Sequence, residues 1–230
     1  MGFPEGYIAL FRDRREAGQV LAEHLKPLVE GSNALVLALP RGGVPVGVEI
    51  ARALHLELDV FLARKLGMPG DEELAIGAVA TGGVRVLNDD LIHYLRVPKE
   101  LVDKITAREQ SELERRERMY REGRPAISVK DRTVVLVDDG LATGASMLAA
   151  SRALRPQGAA RIIVAVPVAA RQTCDDFRKE VDAVVCAATP HPFGAVGIWY
   201  EDFAQITDDE VRKFLEQGTH ALAAKPAGHV

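Results

Sequence analysis

The chain predicts an α/β fold, a Rossmann-like parallel sheet flanked by helices, on three observations. Apolar, β-branched runs alternate with helical segments from Ala34 to Ala187, the order that builds parallel strands joined by right-handed crossovers. Two of the strand-to-helix passages, around Arg41-Gly42-Gly43 and Gly140–Gly144, run through glycines, and such turns aim free backbone N–H groups at the carboxyl edge of the sheet. A length of 230 residues, 47% hydrophobic and 27% charged, suits one domain carrying an insertion or a small cap.

Taken in order, Asp13 is an N-cap for a helix from Arg14 to about Val29, with Ala17, Val20, Leu21 and Leu25 as its apolar stripe and Pro27 ending or kinking it. Gly31-Ser32-Asn33 is a turn, and Ala34–Leu39 reads as the first core strand. After Leu39-Pro40-Arg41-Gly42-Gly43 a helix continues to about Leu54. Leu58–Ala63 reads as the next strand, ending in Arg64-Lys65 before a Gly/Pro segment. Leu74–Ala80 and Val84–Leu87 flank Thr81-Gly82-Gly83 as a β-hairpin.

Asp89 or Asp90 starts a short helix, and Pro98 opens a long, charged one through about Glu122. Its basic cluster Arg115, Arg116, Arg118 and Arg121 reads as a solvated face. Thr133–Val137 is a buried strand, and Met147, Leu148, Ala150, Ala153 and Leu154 keep helical spacing after it. Arg161–Val166 is a strand stopped by Pro167, Ala170–Lys179 a helix, and Ala183–Ala187 a strand. Thr207 and Glu210 form a capping box for a final helix that Gly218 ends.

A net charge of −4 gives no electrostatic case for nucleic acid or an anionic membrane. The apolar runs are too short to span a bilayer and the N-terminus lacks the charge order of a signal peptide, so the expectation is a cytoplasmic protein. Cys174 and Cys186 have neither C-x-x-C nor zinc spacing and read as free, buried apolar fillers.

The chemistry concentrates in VVLVDDGLATGAS. A strand, a glycine turn and a helix hold a phosphate on free amides, with Thr143 and Ser146 adding hydroxyls. The carboxylates of Asp138 and Asp139 beside such a site call for another acceptor-seeking part of the ligand, such as ribose hydroxyls, with Mg²⁺ offsetting excess charge. G-x-x-x-x-G-K-[ST] is absent, which excludes a P-loop, and the lack of G-x-G-x-x-G argues against a dinucleotide site.

This stretch resembles the phosphoribosyl-pyrophosphate (PRPP) motif of type I phosphoribosyltransferases. RDRREAG, LPRGGVPV, RKLGMPG, ELAIGAVA and AVGIWYEDF resemble a little-characterised bacterial group of that family. The resemblance implies the type I phosphoribosyltransferase fold in one domain over residues 1–218. It implies an insertion at about 67–124 and a hood at about 189–206 with N-terminal contributions, while the small, polar residues 219–230 read as a flexible tail. The implied reaction moves the ribose 5-phosphate group of PRPP to a nitrogenous base and releases pyrophosphate, as in nucleotide salvage.

In that reading Asp138 and Asp139 fix the ribose hydroxyls and reach Mg²⁺ through them or through water. The backbone of Gly140, Leu141, Ala142, Thr143, Gly144, Ala145 and Ser146 holds the 5-phosphate. Arg41, Gly42, Gly43, Arg64 and Lys65 face the diphosphate, with a non-proline cis peptide often found in the glycine loop. The Thr189–Phe203 segment, with Phe193 and Trp199, is the hood over the base, although a hydrophobic clip is the competing role for Trp199. Ala142 stands where 6-oxopurine enzymes carry an aspartate base, which disfavours hypoxanthine or guanine and leaves Glu72 or Glu73 as candidate bases. PRPP and a base are then the partners, with no nucleic acid or membrane, and a homo-oligomer is compatible. The alternative is a non-catalytic sensor of PRPP or a nucleotide built on the same pocket.

Overall fold

The computed structural model describes residues 8–223, the side chains of residues 71–73 and 219–223 excepted. Helix α1 (Arg14–Val29) begins as its cap dictates, the Asp13 carboxylate accepting from the N–H groups of Arg15 and Glu16. Pro27 sits in its last turn, and the helix runs two residues past it. Strand β1 (Leu35–Ala38) is buried along its whole length, and α2 (Gly43–Leu54) follows the first glycine turn.

Strand β2 (Glu57–Val60) stops earlier than the apolar pattern suggests. Phe61 and Leu62 are buried, so the apolar run continues, but they bridge two sheets. The chain enters a second sheet at β3 (Ala63–Met68), which places Arg64 and Lys65 inside an antiparallel ribbon with β4 (Asp71–Ala80), not at a strand end before a loop. Gly70, at φ 87°, occupies the tight turn between them. β5 (Val84–Leu87) pairs antiparallel with β4, as the hairpin reading requires. Then come α3 (Asp89–Tyr94), capped by Asn88, and α4 (Lys99–Arg121), opened by Pro98.

Strand β6 (Thr133–Val137) returns to the main sheet, followed by α5 (Ala145–Leu154), β7 (Arg161–Val168), α6 (Arg171–Phe177) and β8 (Ala183–Ala188). β7 runs through Pro167; its last rung with β6 is Val137↔Ala165, so the missing N–H falls where that neighbour has already ended. A 3₁₀ turn (Val196–Trp199) leads to α7 (Asp208–Ala223). The capping box is as expected, Thr207 N–H donating to Glu210 and Glu210 N–H to the Thr207 hydroxyl.

Gly218 does not end α7. A Cβ there would lie 2.8 Å from Leu58 Cδ2, so the glycine lets the helix press onto β2. Residues 219–223 of the expected tail continue the helix, and 224–230 lie outside the described residues.

The five-stranded sheet has the order β2-β1-β6-β7-β8, and every neighbouring pair is parallel. α1 and α2 cover one face through Leu21, Leu25, Val46 and Ile50. α5 and α6 cover the other through Met147, Leu154 and Phe177. The three-stranded sheet β3-β4-β5 lies between α5 on one side and α4 on the other, where Leu66, Ile76 and Val79 meet Val102, Ile105 and Leu113. The cysteines are not free. Cys174 on α6 and Cys186 on β8 are bonded, sulfur to sulfur at 1.92 Å, because α6 folds back beside β8, a proximity that the 12-residue spacing does not reveal. Among the described residues no helix is long and apolar enough to cross a membrane.

Candidate active site

Parallel strands aim their carboxyl ends at one edge of the sheet, and both glycine turns arrive there side by side. The approach is close. A Cβ on Gly43 would lie 2.7 Å from the Val137 carbonyl oxygen, and one on Gly42 would lie 1.9 Å from Asp139 Oδ2. Only glycine fits at either position. The Pro40–Arg41 peptide between β1 and this turn is cis. The Gly43 N–H is not open to a ligand, since it donates to the Leu39 carbonyl at 3.1 Å.

The two acids at the end of β6 part company. Asp138 Oδ1 accepts the Asp139 N–H at 2.8 Å, and the Asp138 side chain lines a cavity of about 110 Å³ with Leu39, Pro40, Arg64, Arg116, Tyr120 and Ser146. Burial pushes its carboxyl well above the usual range, and the neighbouring Asp139 charge adds to the shift. Asp139 instead faces Arg14, whose Nε lies 2.8 Å from Oδ2, with side-chain exposures of 9% and 15%. Burial raises the Asp139 carboxyl and the arginine partly offsets it.

The turn into α5 is the cradle. Gly144 adopts φ 75°, which suits glycine, and a Cβ there would also strike Phe177. None of the amides from Ala142 to Met147 has an acceptor among the described residues, as the first turn of a helix leaves them. Thr143 and Ser146 stand beside them, both exposed. Leu141 differs from expectation: its N–H donates to Val168 O, its carbonyl accepts from Ala170 N–H, and its side chain is 2% exposed, so it anchors the turn and offers no amide.

The expected cations are distributed unevenly. Arg64 reaches the Asp138 cavity while bonded to Glu109 at 2.6 Å. Lys65, next along β3, points to the opposite face, as strand alternation requires. There it lines a cleft of about 600 Å³ with Ala145, Leu148 and Arg152, so the structure does not bring it to Asp138. Arg41 lies 3.9 Å from Asp208 at the start of α7. Arg116 of α4, read from the sequence as solvated, enters the Asp138 cavity, steered by a 2.8 Å bond to Glu112. Arg121 is buried on Asp59.

The hood closes the site from the other side. Val196 rests on Gly140, where a Cβ would meet its Cγ1 at 2.4 Å. Trp199 is 7% exposed and donates its indole N–H to the Phe193 carbonyl, which assigns it to hood packing instead of to a stacked base; Phe193 is half-buried. N-terminal residues complete the hood, Leu10 and Phe11 donating to the Trp199 carbonyl. Tyr200 donates its hydroxyl to the Asp139 carbonyl at 2.6 Å. The side chains of Glu72 and Glu73 lie outside the described residues. Among the described residues no group of three His, Cys, Asp or Glu side chains converges on a metal position.

The phosphoribosyl transferase domain model matches residues 67–198, more than half of the chain. The chain belongs to this family. It is 45% identical over 214 residues to proteins of two Mycobacterium tuberculosis strains provisionally designated phosphoribosyl transferases, a match covering 93% of this chain and 48% of theirs. The chain thus spans about half the length of these curated relatives. Among solved structures it is similar to the protein TT1426 from Thermus thermophilus, at 46% identity and a TM-score of 0.82 over 89% of this chain and 97% of that one.

Sequence reasoning missed Arg14, Tyr120, Tyr200 and Asp208. Arg14 reads from the sequence only as the first residue of a helix, and nothing local shows that it reaches across 125 residues to Asp139. Tyr120 donates to Asp208 at 2.6 Å, tying α4 to α7 at the rim of the cavity.

Proposed function

We propose that the chain transfers the ribose 5-phosphate group of PRPP to a nitrogenous base and releases pyrophosphate. The observation that carries this reading is the Asp138 carboxylate sharing one cavity with Ser146, at the mouth of a turn with unclaimed amides from Ala142 to Met147. A carboxylate acceptor and an anion cradle within one sugar's length suit a phosphorylated ribose better than a bare phosphate.

The 5-phosphate sits on the α5 amides and the Thr143 and Ser146 hydroxyls, a remote anchor whose binding energy orients C1. Asp138 accepts from the ribose hydroxyls. Breaking the C1–oxygen bond leaves positive charge on the sugar ring, which faces Asp138, and negative charge on the diphosphate. Arg64 and Arg116 line the cavity on the side where that charge departs, and Arg41 and the Gly42 amide of the adjoining turn would receive it. A raised, crowded carboxylate such as Asp138 fits a neighbouring cation, so Mg²⁺ carried by PRPP would meet Asp138 directly or through water. Bound there, the ion neutralises diphosphate charge. The acceptor enters beneath the hood near Phe193, and Ala142, unable to take a proton, disfavours hypoxanthine and guanine.

The test is Mg²⁺-dependent pyrophosphate release from PRPP across a panel of nucleobases. Release with one base, falling at least about 100-fold in Asp138→Asn on loss of a charge-assisted contact and its orientation, supports transfer. PRPP binding without release for any base assigns the pocket to sensing. No thermal stabilisation by PRPP, where 100 times Kd should add about 2.7 kcal/mol, overturns both.

A further inference from the structure

We infer that the neighbouring carboxylates do different work: Asp138 meets the ribose, while Arg14 withholds Asp139 from it and so acts as a positioning residue for the diphosphate turn. The inference deepens the PRPP reading and rests on it.

Arg14 is held three ways. Its Nε donates to Asp139 Oδ2 at 2.8 Å, its Nη1 donates to the Ala204 carbonyl at 2.9 Å, and its guanidinium carbon lies 3.8 Å from the centre of the Phe203 ring. Moving it toward a ligand would unpack the hood. Asp139 is equally confined. Its Oδ2 occupies the space that any side chain on Gly42 would need, and Tyr200 pins its carbonyl. Asp138, one residue away, opens into the cavity with Arg64, Arg116 and Ser146.

The electrostatic consequence lies at Gly42. Two carboxylates beside a turn that receives a diphosphate would repel it, and low-dielectric surroundings strengthen the repulsion. Arg14 cancels the charge nearer that turn and holds the Asp139 carboxylate against the Gly42 backbone. The N-terminal helix thereby supplies the partner charge of Asp139 without touching the ligand.

The test measures Mg²⁺–PRPP affinity by calorimetry in wild type, Asp138→Asn, Arg14→Met, Arg14→Lys and Arg14→Met/Asp139→Asn, each checked for folding by its ligand-free melt. Arg14→Met should weaken PRPP by at least about 30-fold and Arg14→Lys by less, because the charge is retained. The double variant, free of both charges, should return to within about fivefold of wild type, whereas Asp138→Asn should lose at least about 30-fold. A purely structural Arg14 would show no ligand-specific recovery in the double variant. A double variant as weak as Asp138→Asn would make Asp139 a ribose ligand and overturn the inference, as would an Arg14→Met variant that binds like wild type. Wild type that fails to bind PRPP would instead remove the underlying functional reading.

Discussion

The parallel core and the segment from β3 to α4 handle charge differently. In the core, β1 is wholly apolar and β6 is apolar after Thr133, with Asp138 and Asp139 following it at the carboxyl edge; Asp59 of β2 is the buried strand charge, and it is paired with Arg121. In the segment from β3 to α4, polar residues fill both helices, yet some of them are structural: Arg121 and Glu109 are 6% exposed, as buried as many apolar neighbours. The charges that follow β6 lie at the candidate site, whereas charge on α4 has to be judged partner by partner.

The sharpest way to break this contrast is at the seam. Arg121 donates to Asp59 at 3.1 Å and to the Val60 carbonyl at 2.6 Å, joining α4 to β2. Arg121→Met leaves Asp59 buried beside the Ile127 N–H with its cation gone, and should cost about 3–5 kcal/mol in urea unfolding. A cost below about 1 kcal/mol would return Arg121 to the solvated class.

Asp138→Asn tests the other half. The folded carboxyl is raised above its unfolded value, so its favourable contribution is complete below the unfolded pKa and is lost as pH rises through the folded one. At pH 7 the wild type therefore carries the cost of a buried charge that asparagine lacks. The ligand-free variant should melt higher at pH 7, and the margin should shrink as pH falls and vanish below the unfolded carboxyl value. A stabilising substitution that removes PRPP binding marks a functional, not structural, charge. Equal melts at pH 7 would contradict the assignment.

The smallest effect is expected at Glu112, on the solvent side of α4. Hydrogen bonds from Arg115, then Arg116, draw its carboxyl down to about 2, so its contribution is present above the unfolded value and fades only as pH falls through that region. Water screens the cluster, and Glu112→Gln should change stability by under about 0.5 kcal/mol at pH 7. It should nevertheless loosen Arg116, read as a weaker PRPP affinity of up to about fivefold without a change in melting.

The parallel sheet, both glycine turns, the hairpin, the Asp13 cap and the Thr207–Glu210 box were legible because each depends on residues within a few positions of one another. Period, cap chemistry and glycine placement act locally. The end of β2 was not legible: Phe61 and Leu62 are as apolar as a strand interior, and only the second sheet explains why the chain turns away. Gly218 looked like a stop because its local meaning is a helix end, while its actual use is contact with Leu58, 160 residues distant in the chain.

The amino-acid order alone thus determined the α/β class, the glycine turn at Gly140–Ser146 and the acid pair before it. Tertiary structure decided which member of that pair is open, which arginines reach it and how the two cysteines meet. The reason is reach: a cap or a turn is settled by neighbours along the chain, but a buried charge is settled by whichever partner the packed elements bring within hydrogen-bond distance, as Arg14 is brought to Asp139.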